Sequence, residues 1–444
     1  MKYQDVPLLV DNMSEVGSVS IPSLSAPAIS WQKCYSDSGV DFRGENIQLT
    51  HDGGYVLCGS NGFGTADFGV VKLSSTGSIQ WQKCYSNTGW DAANCIQQTS
   101  DGGYIVAGQT HGTVTGGHGG YTDCLVVKLD SAGNIQWQKY YGGSDSDGVT
   151  SIQQTSDDGY IFTGYTRSCD GDVAGCHGQF DYWVVKLTNT GDIQWRKCYG
   201  SDWDEEPTNI QETTDGGFIV VGYAMTNYGD VTGNHGGEDF WVVKLTSTGD
   251  IQWEECLGGS GKDLPTNIQQ TSDGGYIVGG STSSIDGDVV GNHNIPSDFA
   301  EDVWVVKLTS TGGIQWNKCL GGSNDERLAD IHQTSDGGYI VGGSTSSIDG
   351  DVVGNHNVPS DYAEDMWVVK LSPTGGISWK KCYGGKHCDY IYGIQQTSDD
   401  GYIISGYIES SDGDMTGVQG GTYWWMGKLA GTSSSPTITS HHRS

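Results

Sequence analysis

Residues 209–257 decide the fold, opening with Asn209-Ile-Gln-Glu-Thr213 and turning at Thr214-Asp-Gly-Gly217. Next comes Phe218-Ile-Val-Val-Gly222, and after a long loop Phe240-Trp-Val-Val-Lys-Leu245. A second turn, Thr246-Ser-Thr-Gly-Asp250, leads into Ile251-Gln-Trp-Glu-Glu-Cys-Leu257. Asp-Gly between strand residues marks a tight hairpin, because glycine accepts the positive φ that such turns need. Two hairpins per unit predict a four-stranded antiparallel sheet. Runs such as Trp-Val-Val-Lys-Leu are apolar on both faces, so each sheet is expected between two neighbours.

The unit recurs along the chain. The tryptophan of Ile-Gln-Trp or Ile-Ser-Trp stands at Trp31, Trp81, Trp137, Trp195, Trp253, Trp316 and Trp379, with spacings of 50, 56, 58, 58, 63 and 63. Residues 251–313 and 314–376 are near duplicates, the mark of recent internal duplication. The Asp-Gly turn returns at Asp52, Asp101, Asp215, Asp273 and Asp336, and as Asp-Asp-Gly at Asp157 and Asp399. Four-stranded sheets repeated radially make a β-propeller, and seven copies lie within the usual range of about four to eight blades. The chain ends agree. The first copy is a lone fourth strand, Ile29-Ser-Trp-Gln-Lys-Cys34, and the last stops after three, ending Tyr423-Trp-Trp-Met-Gly-Lys-Leu429. The expected fold is all-β: a seven-bladed propeller over residues 29–429, closed by the N-terminal strand completing the last blade. Residues 1–28 and 430–444 flank it as an extension and a flexible tail.

Composition narrows the function. The 444 residues carry 22 Lys and Arg against 54 Asp and Glu, a formal net charge of −32. Nucleic acid is excluded as the main partner, since phosphate binding needs a basic face, and anionic membrane surfaces are disfavoured for the same reason. Divalent cations, basic proteins and neutral glycans stay open. No apolar run approaches the ~20 residues that span a bilayer, so no membrane insertion is expected. The N-terminal stretch Met1-Lys-Tyr-Gln-Asp-Val lacks the pattern of a signal peptide, which leaves another export route or a leader already removed.

Asp-Gly-Gly-Tyr-Ile-Val-Gly-Gly, Trp-Val-Val-Lys-Leu and Gly-x-Ile-Gln-Trp-x-Lys together resemble a repeat of secreted and surface proteins of bacteria and some archaea. That resemblance covers residues 29–429 and implies a propeller in an extracellular or cell-surface location. Thr-Gly-Asp-Ile-Gln-Trp is also similar to a hairpin of quinoprotein-type propellers, whose tryptophan docks one blade on the next. The adjacent Cys-Cys pair of many quinone enzymes is missing, which weighs against that chemistry.

The unusual chemistry sits in the loops between second and third strands. Asp-Gly-Asp occurs at Asp170/Asp172, Asp286/Asp288, Asp349/Asp351 and Asp412/Asp414, with Tyr-Gly-Asp at Asp230. Histidines follow at His118, His177, His235, His293 and His356, and an acid precedes the third strand at Asp123, Asp181, Asp239, Asp302 and Asp365. Alternating carboxylates around a glycine bend can wrap Ca2+, which takes about six to eight oxygens. Two loops add Asp298 and Glu301, or Asp361 and Glu364. The same residues equally cap turns through Asx hydrogen bonds, and no EF-hand spacing is present. One histidine per blade cannot converge on a single zinc.

A second acidic series lies ten residues after each repeat tryptophan: Asp41, Asp91, Asp147, Glu205, Asp263, Glu326 and Asp389. A pair of these could serve a glycosidase, but repetition in every unit points to one structural hydrogen bond per blade. Of the 12 cysteines, six share one repeat position, Cys34, Cys84, Cys198, Cys256, Cys319 and Cys382, and read mostly as small packing residues. Cys169–Cys176, Cys382–Cys388 and Cys84–Cys95 are the candidate disulfides, which favour an oxidising compartment.

Two readings of function follow. One is a noncatalytic structural or adhesive module, whose N-terminal extension either straps its own ring or donates a strand to the next subunit, making a fibre. The other is a carbohydrate-active enzyme or glycan-binding lectin on the acidic rim, served by Trp90, Trp203 or Tyr121. Other protein subunits or surface glycans are the expected partners.

Overall fold

The computed structural model describes residues 25–35, 42–61, 67–85, 90–111, 117–119, 121–293, 300–356, 363–416, 421 and 423–431. These form 28 strands in seven four-stranded antiparallel sheets. Blade four shows the plan: Glu205–Glu212, Phe218–Ala224, Asp239–Leu245 and Ile251–Leu257 pair in chain order from the channel outward. The innermost strand begins at Glu205, four residues before the repeat was legible, because a bulge between Pro207 and Asn209 interrupts its alternation. The same bulge recurs in the innermost strand of every blade.

Blades one to six span 42–85, 91–141, 147–199, 205–257, 263–320 and 326–383. Blade seven is built from Asp389–Gln396, Tyr402–Ile408 and Tyr423–Leu429, with Ile29–Tyr35 as its outer strand. Trp31 pairs with Lys428 and Cys34 with Trp425, the register that Trp253 and Cys256 keep with Lys244 and Trp241 in blade four. The strand from the N-terminal end therefore stands where any other outer strand would, and the wheel is closed as expected. The innermost strands touch all the way round, Phe42–Leu49 against Asp389–Gln396 included.

Stability is lodged between blades, with one apolar cluster at each of the seven junctions. Third strands such as Asp239–Leu245 are buried along their whole length, which is why they read as apolar on both faces. Each repeat tryptophan lies against an aromatic ring of the next blade, at 5.7 Å for Trp81–Tyr104 and 6.3 Å for Trp31–Tyr55. Such a pair contributes about 0.5–1.5 kcal/mol beyond its buried area. The next blade's Thr-Gly turn receives the same ring: a Cβ on Gly249 would lie 2.9 Å from Trp195, and its φ of 78° favours glycine in any case.

Both hairpin turns of a blade lie at one end of the wheel, and the long loops and blade-to-blade connections lie at the other. At the turn end every Asp-Gly aspartate meets the lysine of Trp-Val-Val-Lys-Leu or its relative. The seven pairs run from Lys72–Asp52 at 2.9 Å to Lys428–Asp399 at 2.8 Å. Lys244 also donates to Leu245 O at 3.0 Å, while Asp215 accepts from Gly217 N at 3.0 Å. Burial would raise Asp215, but hydrogen bonds from Thr213, Lys244 and Gly217 outweigh it and hold the carboxyl at about 2.

The loop bridge Cys169–Cys176 is formed, with its Cα atoms 5.5 Å apart. The other two expected pairings are not, since Cys95, Cys382 and Cys388 carry no disulfide. Cys95 is instead buried in a junction core, its Sγ against Ala107 O at 3.6 Å. Among the six equivalent cysteines, Cys198, Cys256, Cys319 and Cys382 are buried packing residues, whereas Cys34 is half-buried and Cys84 exposed.

Candidate functional site: the long-loop rim and the channel

The Asp-Gly-Asp loops fold back over the connection that enters their own blade. The backbone amides of Asp172, Asp230, Asp288, Asp351 and Asp414 donate to the carbonyls of Gly142, Gly200, Gly258, Gly321 and Gly384, at 2.6–3.0 Å. Such closeness needs glycine at the bend: a Cβ on Gly171 would sit 2.5 Å from Gly142 O. The first carboxylate of each loop caps a neighbouring turn. Asp170 accepts from Ser144 N at 2.7 Å, Asp286 from Ser260 N at 2.7 Å, Asp349 from Ser323 N at 2.8 Å, and Asp412 from Lys386 N at 3.0 Å. Those backbone bonds hold Asp170, Asp286 and Asp412 below the ordinary carboxylate range.

The second carboxylates face the preceding blade's histidine. Nε2 of His118, His177, His235, His293 and His356 lies 3.3–3.8 Å from Asp172, Asp230, Asp288, Asp351 and Asp414. Within its own blade the same histidine donates its backbone amide to the acid that opens the third strand, as His235 does to Asp239 at 2.6 Å. Nδ1 of His235, His293 and His356 reaches that acid at 3.0, 2.7 and 2.8 Å. Each histidine therefore stands between a buried carboxylate of one blade and a partly exposed carboxylate of the next.

Behind this row lies the second acidic series. Asp91, Asp147, Glu205, Asp263, Glu326 and Asp389 are fully buried, and Asp41 lies outside the described residues. They bind their own connections: Asp263 accepts from Gly259 N at 2.9 Å and Ser284 Oγ at 2.8 Å, and Glu326 from Gly322 N at 2.8 Å. At five junctions such an acid comes close to the third-strand acid of the preceding blade. A Cβ on Gly200 would lie 2.4 Å from Asp181 Oδ1 and 2.7 Å from Glu205 Oε2, and Gly142, Gly258, Gly321 and Gly384 repeat that geometry. Burial pushes Asp181 and Asp239 up to about 6, with hydrogen bonds from His177 and His235 only partly opposing it. Burial likewise raises Glu205 and Glu326 to about 7.

The expected metal-site residues are thus distributed rather than gathered. Asp302 and Asp365 belong to the buried row, Asp172, Asp230, Asp288, Asp351 and Asp414 to the histidine bridges, and the remaining carboxylates to turn caps. Among the described residues no three His, Cys, Asp or Glu side chains converge on one point. Asp298 and Asp361 lie outside the described residues. Of the outer supports, Glu364 accepts from Ser344 Oγ at 2.5 Å, and Glu301 N donates to Asp325 at 3.1 Å. Trp90, Trp203 and Tyr121 are exposed on this rim, as are Tyr228, Ile285, Val290, Ile348 and Val353.

No family model matches the chain, and no curated protein matches it. Among solved structures it is similar to the Pan2 WD40 domain of Neurospora crassa, at 10% identity and a TM-score of 0.48, over 87% of this chain and 89% of that one. A protein of unknown function from Dyadobacter fermentans gives 11% identity and 0.44, over 78% and 96%. Puromycin hydrolase gives 10% and 0.47, over 87% of this chain and 54% of that one. None of these likenesses bears on what the chain does.

The channel holds residues that lie outside the motifs shared by the seven repeats. The glutamine next to last in each innermost strand accepts from a backbone amide of the adjoining blade. Gln48, Gln97, Gln153, Gln211, Gln269 and Gln395 make this bond at 2.5–3.0 Å. Blade six has His332 there instead, and two residues earlier Asp330 where blades one, four and five have Asn46, Asn209 and Asn267. His332 Nε2 lies 3.0 Å from Asp330 Oδ2. Asp330 also accepts from Asn267 Nδ2 at 2.7 Å, Ile331 N at 2.9 Å and Ile394 N at 3.2 Å, tying blades five, six and seven together. Burial alone would lower the His332 pKa, but the charge and hydrogen bond of Asp330 outweigh it and leave it raised. The sequence carried a signal: Ile331-His-Gln333 departs from the Ile-Gln-Gln of its relatives.

Proposed function

We propose that this protein is a noncatalytic, extracellular structural or adhesive propeller. Its loop rim meets other protein subunits or surface glycans, and its N-terminal extension joins copies into a fibre. The observation that carries this reading is the composition of the rim. Exposed aromatic and aliphatic side chains, Tyr228, Ile285, Val290, Ile348 and Val353 among them, stand beside carboxylates already engaged in turn caps and junctions. Apolar side chains rimmed by polar ones suit a contact surface. A glycosidase needs two acids tuned apart, whereas burial raises the equivalent innermost-strand acid at each of these five junctions. The Cys169–Cys176 bridge supports an oxidising compartment.

Calcium fits the same reading at the junctions. Asp123, Asp181 and Asp239 each hold a buried Oδ1 without a hydrogen-bond partner, beside the next blade's acid. A divalent ion would balance the two neighbouring charges once these acids ionise, and so stiffen the wheel above pH 7. Electron microscopy of the full chain, and of a chain lacking residues 1–24, with and without calcium, tests the proposal. Fibres from the full chain only are expected. Separate discs at every concentration, or unchanged fibres from the shortened chain, would overturn assembly through the extension. Calcium should raise the melting temperature at pH 8 and not at pH 5.

A further inference from the structure

We propose that the channel beside His332 binds a neutral polyhydroxylated molecule, a saccharide of one or two rings, free or ending a longer glycan. The inference is independent of the rim's assembly role. The cavity measures about 370 Å3, at the small end of the ~300–1,000 Å3 that ligand pockets span. Amides and hydroxyls such as Asn46, Asn209, Gln211 and Thr208 line it, with no lysine or arginine among the described lining residues. Among the described lining residues an anion would meet His332 alone as a cationic partner, inside a protein of net charge −32. Neutral hydroxyls suit these walls, because each can donate to one group and accept from another.

The break in sevenfold symmetry marks the contact point. Glutamine at this position ties one blade to the next in six places, and blade six forgoes that bond by holding His332. Local consistency is given up at functional sites more readily than in scaffold. Asp330 is a positioning residue: its oxygens are engaged by four donors, and it fixes the imidazole through Nε2. Nδ1 is then the ring atom left for a ligand hydroxyl, as acceptor when the ring is neutral and as donor when it is protonated. Tyr392 of blade seven also lines the cavity, 38% exposed, and adds aromatic surface for the sugar's C–H groups.

The test is saturation-transfer NMR and calorimetry with glucose, galactose, N-acetylglucosamine and lactose, and a glycan array for the chain-end arm. His332→Gln and Asp330→Asn install what other blades already hold, so both variants should fold. The wild type is expected to bind a member of the panel or an arrayed glycan. His332→Gln should lose about tenfold or more in affinity while melting at or above the wild-type temperature. Asp330→Asn should lose less. In the wild type, saturating sugar should move the His332 imidazole 15N resonances, a readout that needs no variant. The proposal is overturned if no sugar or arrayed glycan binds, if His332→Gln binds as well as wild type, or if those resonances stay put.

Discussion

At the turn end of the wheel Asp215 faces Lys244 at 3.0 Å and is held at about 2, whereas at the loop end Asp239 faces the buried Asp263 and is held at about 6. Both are aspartates of blade four, both are repeated around the ring, and both hold hairpins or connections in place. The difference lies first in burial, which is deep at Asp239 and slight at Asp215, and then in what the chain brings opposite them. A third-strand lysine runs its apolar stem through the blade and delivers its ammonium to the turn. The connection at the other end delivers a second acid. Two neighbouring carboxylates in a buried place cannot both ionise cheaply, so protons or a cation must be shared between them.

The pH consequences run in opposite directions. The turn aspartates lie below their unfolded value near 4, so their contribution is present above pH 4 and is lost as pH falls through about 2. With carboxylates half exposed, each such pair contributes only about 0–1 kcal/mol. The loop-end acids lie above their unfolded value, so their contribution is complete below pH 4 and is lost as pH rises through 6 to 7. In the absence of calcium the melting temperature should therefore peak near pH 4 and fall towards pH 7.

The largest expected effect strikes both ends together. Deleting residues 1–35 strips the outer strand from blade seven and uncovers the buried Trp424 and Trp425. The loss should approach the whole folding free energy, about 5–15 kcal/mol, and calorimetry should show no single cooperative transition. An unchanged melt would mean that the wheel is not sealed by that strand. Next, Asp239→Asn keeps an acceptor for His235 and removes a charge from the acid pair. It should gain about 1–3 kcal/mol at pH 8, less at pH 5, and nothing at pH 3. Its opposite number, Lys244→Met, should lose about 1 kcal/mol or less at pH 7 and less still at pH 2. If the two variants shift stability in the same direction at pH 8, the contrast between the ends is wrong. The smallest effect belongs to His235→Gln, which loosens the links to Asp288 and Asp239 and should cost about 0.5 kcal/mol or less in a thermal melt.

Most of the fold was legible because its determinants are local and repeated. Asp-Gly, Thr-Gly and the tryptophan each announce a turn or a docking contact within one unit, and the lone strand around Trp31 announced its own destination. The site was less legible because its partners come from different blades. His177 and Asp230 are 53 residues apart in a chain that gives no sign of their meeting at 3.8 Å. The lysine of Trp-Val-Val-Lys-Leu read as one strand residue among others, although its ammonium reaches the turn and helps hold its aspartate low. Cys169–Cys176 could be read because both ends lie in one loop, while Cys84–Cys95 failed because Cys95 turns into a junction core. Asp330 and His332 were visible only as a departure from the repeat, which a search for what the copies share overlooks.

The most direct test is a 13C NMR titration of the aspartate and glutamate carboxyls in calcium-free protein. Two families are expected, one titrating near pH 2 and belonging to Asp52, Asp101, Asp157, Asp215, Asp273 and Asp399, the other near pH 6 to 7 and including Asp181, Glu205, Asp239 and Glu326. A single family centred near pH 4 would contradict the account.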